Sequence, residues 1–146
     1  TPEGLELAKQ LKPMRDNAER AWNSLSQVPK VVTHGDPNPT NLLLTPKGPV
    51  WLDFGAGGAA PRVLDLAVVT VLAHECGTAQ RQEALQAYGH HKDISSSSLA
   101  AAETVVAYQR THVCTTQEGW EQEGWDRLRA WRNGTPYVFS YGNHPK

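Results

Sequence analysis

The stretch VVTHGDPNPTNLLL, Val31 to Leu44, followed by WLDFG from Trp51 to Gly55, decides how this chain is read. Val31, Val32 and Thr33 are β-branched and predict a short strand. Pro37 and Pro39 then fix φ and remove two backbone donors, so the chain must leave that strand as a loop. Asn41 opens a second run, Leu42 to Thr45, and Pro46-Lys47-Gly48-Pro49 predicts a hairpin turn into Val50, Trp51 and Leu52. Asp53 stands at the end of that returning strand, facing the loop that carries Asp36.

Working outward, Leu5, Ala8, Leu11, Ala18, Ala21, Trp22 and Leu25 recur at helical spacing and predict one or two helices broken near Pro13. Gly55, Gly57 and Gly58 are read as the flexible turn after Asp53; beyond the glycine-rich AGGAA, Val63 to Ala73 is almost wholly apolar and stops at Gly77, as expected of a helix buried on most sides. Arg81 to Tyr88 predicts a short helix. Ser95 to Ser98 supply N-caps for a longer one through Leu99, Ala102, Val105, Val106 and Val113. The expected fold class is α+β and mainly helical, a single domain over residues 1–146, with a short β-hairpin carrying the site.

The 146 residues carry a formal charge of −1 with no basic run, which disfavours a nucleic-acid partner. No apolar run reaches the roughly 20 residues that span a bilayer. The N-terminus has neither a basic n-region nor an apolar h-region. Cys76 and Cys114 stand apart, without a CxxC, and are expected to be buried thiols in a reducing compartment. Together these features place the protein in the cytoplasm, off the membrane. The first residue is Thr1, which suggests a piece of a longer chain.

Moving a phosphoryl group to a hydroxyl needs a carboxylate to orient that hydroxyl and accept its proton, and oxygen ligands for Mg²⁺ on the nucleotide phosphates. Asp36, Asn41 and Asp53 supply that set. The spacing D-x-x-x-x-N lets the loop aim the acid at the acceptor while the amide carbonyl turns toward the metal.

HGDPNPTN followed by VWLDFGAGGAAPRVLDLA resembles the aminoglycoside phosphotransferase and choline kinase family, whose fold is similar to the protein kinases. By that resemblance Asp36 is the catalytic base and Asn41 and Asp53 are the Mg²⁺ ligands. His34 braces the catalytic loop, and Asp65 hydrogen-bonds the loop from the buried helix. The implied cofactors are Mg²⁺ and ATP, and the implied partner is a small-molecule hydroxyl acceptor. Such enzymes carry a nucleotide-covering lobe with a glycine-rich loop and a lysine ahead of the HGD segment. Only 33 residues precede His34 here, none with those features, so the chain is expected to be the C-terminal lobe alone. Gly55, Gly57 and Gly58 do not substitute for that lobe, because G-x-G-G lacks the third glycine and the acid of a dinucleotide fingerprint. A kinase-derived scaffold, one half of a split enzyme needing a partner chain, or a fragment of a longer kinase are the other readings.

Two further features stand outside the motif. Glu118, Glu121, Glu123 and Asp126, interleaved with Trp120 and Trp125, could hold a cationic acceptor by charge and cation–π contact, or form a solvated helical face with tryptophans packed inward. His90 and His91 lack the third spaced ligand of a zinc site and read as surface loop.

Overall fold

The computed structural model describes residues 2–89 and 93–138. The chain opens with α1 (Pro2–Ser24), which buries Leu11, Met14 and Ala18 along one stripe. This is one continuous helix with Pro13 inside it, not a helix broken there. Pro13 and Lys9 both lie on the exposed side. The carbonyl that proline leaves without its i+4 donor can therefore be met by water, while the inward stripe holds the helix together.

Two small antiparallel sheets follow. β1 (Lys30–Thr33) pairs with β4 (Gly58–Pro61), Thr33 opposite Gly58 and Lys30 opposite Pro61. β2 (Leu42–Thr45) pairs with β3 (Gly48–Trp51) around the two residues Pro46 and Lys47. The first sheet corrects one member of the Gly55, Gly57 and Gly58 turn: Gly58 opens β4, while Gly55 lies in the 3₁₀ turn before it and Gly57 caps that turn. Small residues in β4 let it lie flat against β1, and the Thr33 hydroxyl donates to the Gly58 carbonyl at 3.0 Å. The single expected hairpin is thus one of two pairings.

The remaining chain is helical: α2 (Val63–Cys76), α3 (Thr78–Tyr88), α4 (Ser96–Thr116) and α5 (Glu121–Arg132). Ser95 caps α4, accepting from the Ser98 N–H at 3.1 Å. α2 packs on α3 and α4, and α4 packs on α1 and α5. Leu25, Val63, Leu66, Ala67, Leu99, Ala102 and Val106 form the main core. Each fully buried leucine or valine there contributes about 1.5–3 kcal/mol over its exposed state. A second cluster joins Leu11, Met14 and Leu128 with Trp125 and Trp131 packed against it. α4 and α5 are in close contact at Gly124, where a Cβ would come within 2.4 Å of the Thr115 nitrogen.

Cys114 is buried as expected, but Cys76 is exposed, because it ends α2 on the solvent side. His90 and His91 lie outside the described residues. Among the described residues no helix is long and apolar enough to cross a membrane.

Candidate active site

The loop between β1 and β2 is fastened from below by α2. Asp65, in the first turn of that helix, accepts the His34 N–H at 2.7 Å and the Gly35 N–H at 2.9 Å, one on each carboxylate oxygen. Hydrogen bonds to an ionised carboxylate are among the stronger ones, and the helix N-terminus favours the negative charge. Gly35 has φ +87°, and a Cβ there would come within 2.2 Å of the Ala56 carbonyl oxygen. The HGD glycine is therefore set by close backbone approach as well as by its torsion.

His34 is buried, and its ring is held on three sides. Nε2 lies 2.8 Å from the Leu52 carbonyl and Nδ1 lies 3.3 Å from the Asp36 nitrogen. A carbonyl can only accept and an amide N–H can only donate, so these partners select the neutral ring with its proton on Nε2. The Phe54 ring sits 4.3 Å away centroid to centroid, and Trp51 meets the imidazole edge-on at 5.4 Å. With both nitrogens engaged by backbone, the histidine links the loop to the end of the hairpin.

Asp36 is exposed. Asn41, ending the single 3₁₀ turn Pro39–Asn41, donates from Nδ2 to the Asp36 carbonyl at 3.0 Å and to Asp36 Oδ2 at 3.2 Å. Its backbone carbonyl accepts from the Leu52 N–H at 2.8 Å. That arrangement commits the amide nitrogen to Asp36 and leaves Oδ1 with no donor to it among the described residues. Asp53 has φ 56° and ψ 66°, the non-glycine residue with positive φ among those described. Aspartate tolerates this left-handed basin better than most residues. One of its oxygens accepts the Gly55 N–H at 3.3 Å.

The structure thus brings His34, Asp36, Asn41 and Asp65 into one hydrogen-bonded unit, with Asp53 joined through its neighbours Leu52 and Phe54. The acidic run lies elsewhere, on and before α5, which packs on α4. Glu118 and Glu121 are exposed, and Asp126 accepts from Gln122 and Arg129. Glu123 is buried and takes the Arg127 guanidinium, Nε at 2.8 Å and Nη2 at 2.6 Å. Among the described residues no group of three or more His, Cys, Asp or Glu side chains is arranged to hold a metal ion. The Asn41 and Asp53 pair is an amide carbonyl and a carboxylate, the hard oxygen donors that Mg²⁺ takes beside nucleotide phosphates and water.

Sequence reasoning missed Trp51 and Phe54 as the ring partners of His34; their signal was aromatic residues flanking the Leu-Asp pair. It also missed the cluster at the far end of α2, where Glu75 accepts from both Arg127 and Arg110. Glu75 and Asp65 are the two acids of a mostly apolar helix, and a buried carboxylate must be paired.

A family model described as the phosphotransferase enzyme family matches residues 2–105. No curated protein and no solved structure matches the chain. The matched span runs from α1 through the whole loop and hairpin into α4, and with the HGD loop fastened as described, the chain belongs to the phosphotransferase enzyme family.

Proposed function

We propose that this chain is the C-terminal lobe of an Mg²⁺·ATP-dependent phosphotransferase acting on a hydroxyl of a small molecule. The observation that carries the reading is the Asp36–Asn41 pair. A hydrogen bond from Nδ2 orients both side chains, while Oδ1 of each has no donor among the described residues. Asp36 can then accept a hydrogen bond from an acceptor hydroxyl and take its proton as the new bond forms. Asn41 and Asp53 would hold the metal, and bound Mg²⁺ supplies charge neutralisation on the transferring phosphates. His34 and Asp65 act on the position of the loop, since their polar atoms are engaged with its backbone and that of the hairpin.

Calorimetry of ATP with Mg²⁺, wild type against Asp53→Asn, tests the metal half of this reading. Binding that depends on Mg²⁺ and is lost in the variant is the expected outcome. Equal binding by both proteins would remove Asp53 from the metal site. For the acid, Asp36→Asn should abolish turnover in an acceptor screen and leave nucleotide binding intact.

A second reading is favoured by one feature: the strands beside the site are uncovered. Val32 is 89% exposed, Leu44 77% and Phe54 58%, with Leu43, Val50 and Leu52 near half. An isolated two-stranded sheet is marginal in water, and these exposed apolar side chains would gain from a covering surface. On this reading the lobe works with a partner chain or a further lobe that covers the hairpin, or serves as a binding module without turnover. Sedimentation at high concentration separates the two, because a clean monomer that binds ATP needs no partner.

A further inference from the structure

We propose that a cavity lined by all five helices, α1 to α5, away from the HGD loop, is a binding site for an uncharged, amphipathic small molecule with a flat apolar body. The cavity is about 470 Å³, within the roughly 300–1,000 Å³ typical of small-molecule sites. His74 on its wall lies nine residues, and thus about 13 Å along the α2 axis, from Asp65. The proposal therefore stands independently of phosphoryl transfer.

Its walls select against charge. Two carboxylates and two guanidiniums line it, and each is already matched. Glu75 takes the Arg127 fork, with Nη2 to Oε2 at 2.9 Å, and Arg110 Nε at 3.1 Å. Glu103 takes the Arg81 fork, Nε at 2.9 Å and Nη2 at 3.0 Å. A cationic ligand would have to displace a guanidinium, and an anionic one would have to displace a carboxylate. Either would leave water for a wall that offers it no counter-charge of its own.

The rest of the wall supplies what a neutral ligand needs. Met14, Val71, Ala107 and Trp131 give an apolar surface with one large aromatic face. His74 lines the cavity too, and its Nδ1 is buried with no hydrogen-bond partner. Buried polar atoms are nearly always paired. Turned about its Cβ–Cγ bond toward the cavity, this ring would offer Nδ1 to a hydroxyl or amide of the ligand, fixing one polar end while the apolar body lies toward Trp131.

The test uses the full chain without nucleotide or Mg²⁺, so failure of the phosphotransferase reading leaves it untouched. Met14 is the chain's single methionine, buried and on the cavity wall. Its ¹³C-methyl resonance is therefore an unambiguous reporter. Naphthylethanol is the neutral probe, with naphthylethylamine and naphthylacetate as its charged counterparts. Saturable movement of the Met14 methyl by the alcohol is expected, with the amine and the acetate about tenfold or more weaker. Filling the wall with Ala107→Trp, or more gently with Ala130→Leu, should weaken the alcohol in protein whose circular dichroism is unchanged. A Met14 methyl that does not move up to the solubility limit of the alcohol overturns the proposal, as does tighter binding of either charged probe. Undiminished binding in both filled variants overturns the location.

Discussion

The two ends of α2 each carry one acid, and the fold uses them in opposite ways. At the N-terminal end, Asp65 spends its oxygens on two backbone N–H groups and so leaves Asp36 and Asp53, above it, at the surface. At the C-terminal end, Glu75 is itself buried and saturated, gripped by Arg127 and Arg110. One carboxylate holds a loop so that others stay available; the other is consumed in joining α2, α4 and α5. A carboxylate near a charged cluster is therefore a weak guide to chemistry, whereas one exposed carboxylate on a fastened loop is a strong guide.

The largest expected effect comes from breaking the buried end. Arg127→Met leaves Glu75 and Glu123 without their principal guanidinium and should cost about 3–5 kcal/mol in urea unfolding. Burial alone would lower the Arg127 pKa, but the hydrogen bonds and charge of Glu75 and Glu123 hold it above its ordinary value, so the cation persists throughout the useful pH range. A loss under about 1 kcal/mol, the level of an exposed ion pair, would erase the contrast between the two ends. Asp65→Asn is expected to cost less, about 1–3 kcal/mol, because one backbone N–H then faces an amide group that cannot accept. Faster amide exchange at His34 and Gly35, with α5 unchanged, would place that loss in the loop.

A pH titration sharpens the comparison further. Tyr137 lies over the Arg127 guanidinium at 4.2 Å. Burial first, and then the Glu123 carboxylate, push its pKa up to about 12 from the ordinary 10. A folded-state pKa above the unfolded one means that the contribution is whole below pH 10 and is lost as pH rises toward 12. Thermal melts should fall more steeply over that interval in the wild type than in Tyr137→Phe. Parallel curves would detach the tyrosine from the cluster. The smallest effect on unfolding is expected at Asp36→Asn, within about 0.5 kcal/mol of wild type, because the side chain is exposed and an amide oxygen can still accept from Asn41 Nδ2.

That Asp36, Asn41 and Asp53 would share one loop and hairpin was legible in residue order, for a physical reason. The HGD loop is local: its acid, its amide and the prolines between them lie within six positions, and Asp53 follows one hairpin later. Short-range constraints of this kind leave their mark in residue order. The cluster of Glu75, Arg110, Arg127 and Glu123 joins three helices across up to 52 positions, and no spacing rule connects them. Glu123 was grouped with its exposed neighbours because a run of acids does not reveal which member faces inward. α5 turns that one residue toward Arg127, a full helical turn later, and leaves Glu121 in water. Pro13 misled for a related reason. A proline's effect on a helix depends on which side it faces, and that is decided by the partners of Leu11 and Met14.

The pairing of β1 with β4 has one more consequence, for the length of the site. Thr33 lies opposite Gly58, so everything from His34 to Gly57 is an excursion whose two ends are already tied together. The entropy of closing that loop is settled at its base, by the strand register and by Asp65, and not at its tip. Extra residues inserted at Pro46–Lys47 would lengthen a loop that is already shut, and doubling a flexible loop costs only about 0.6 kcal/mol. The hairpin tip can therefore vary in length while Asp36 and Asn41 keep their places.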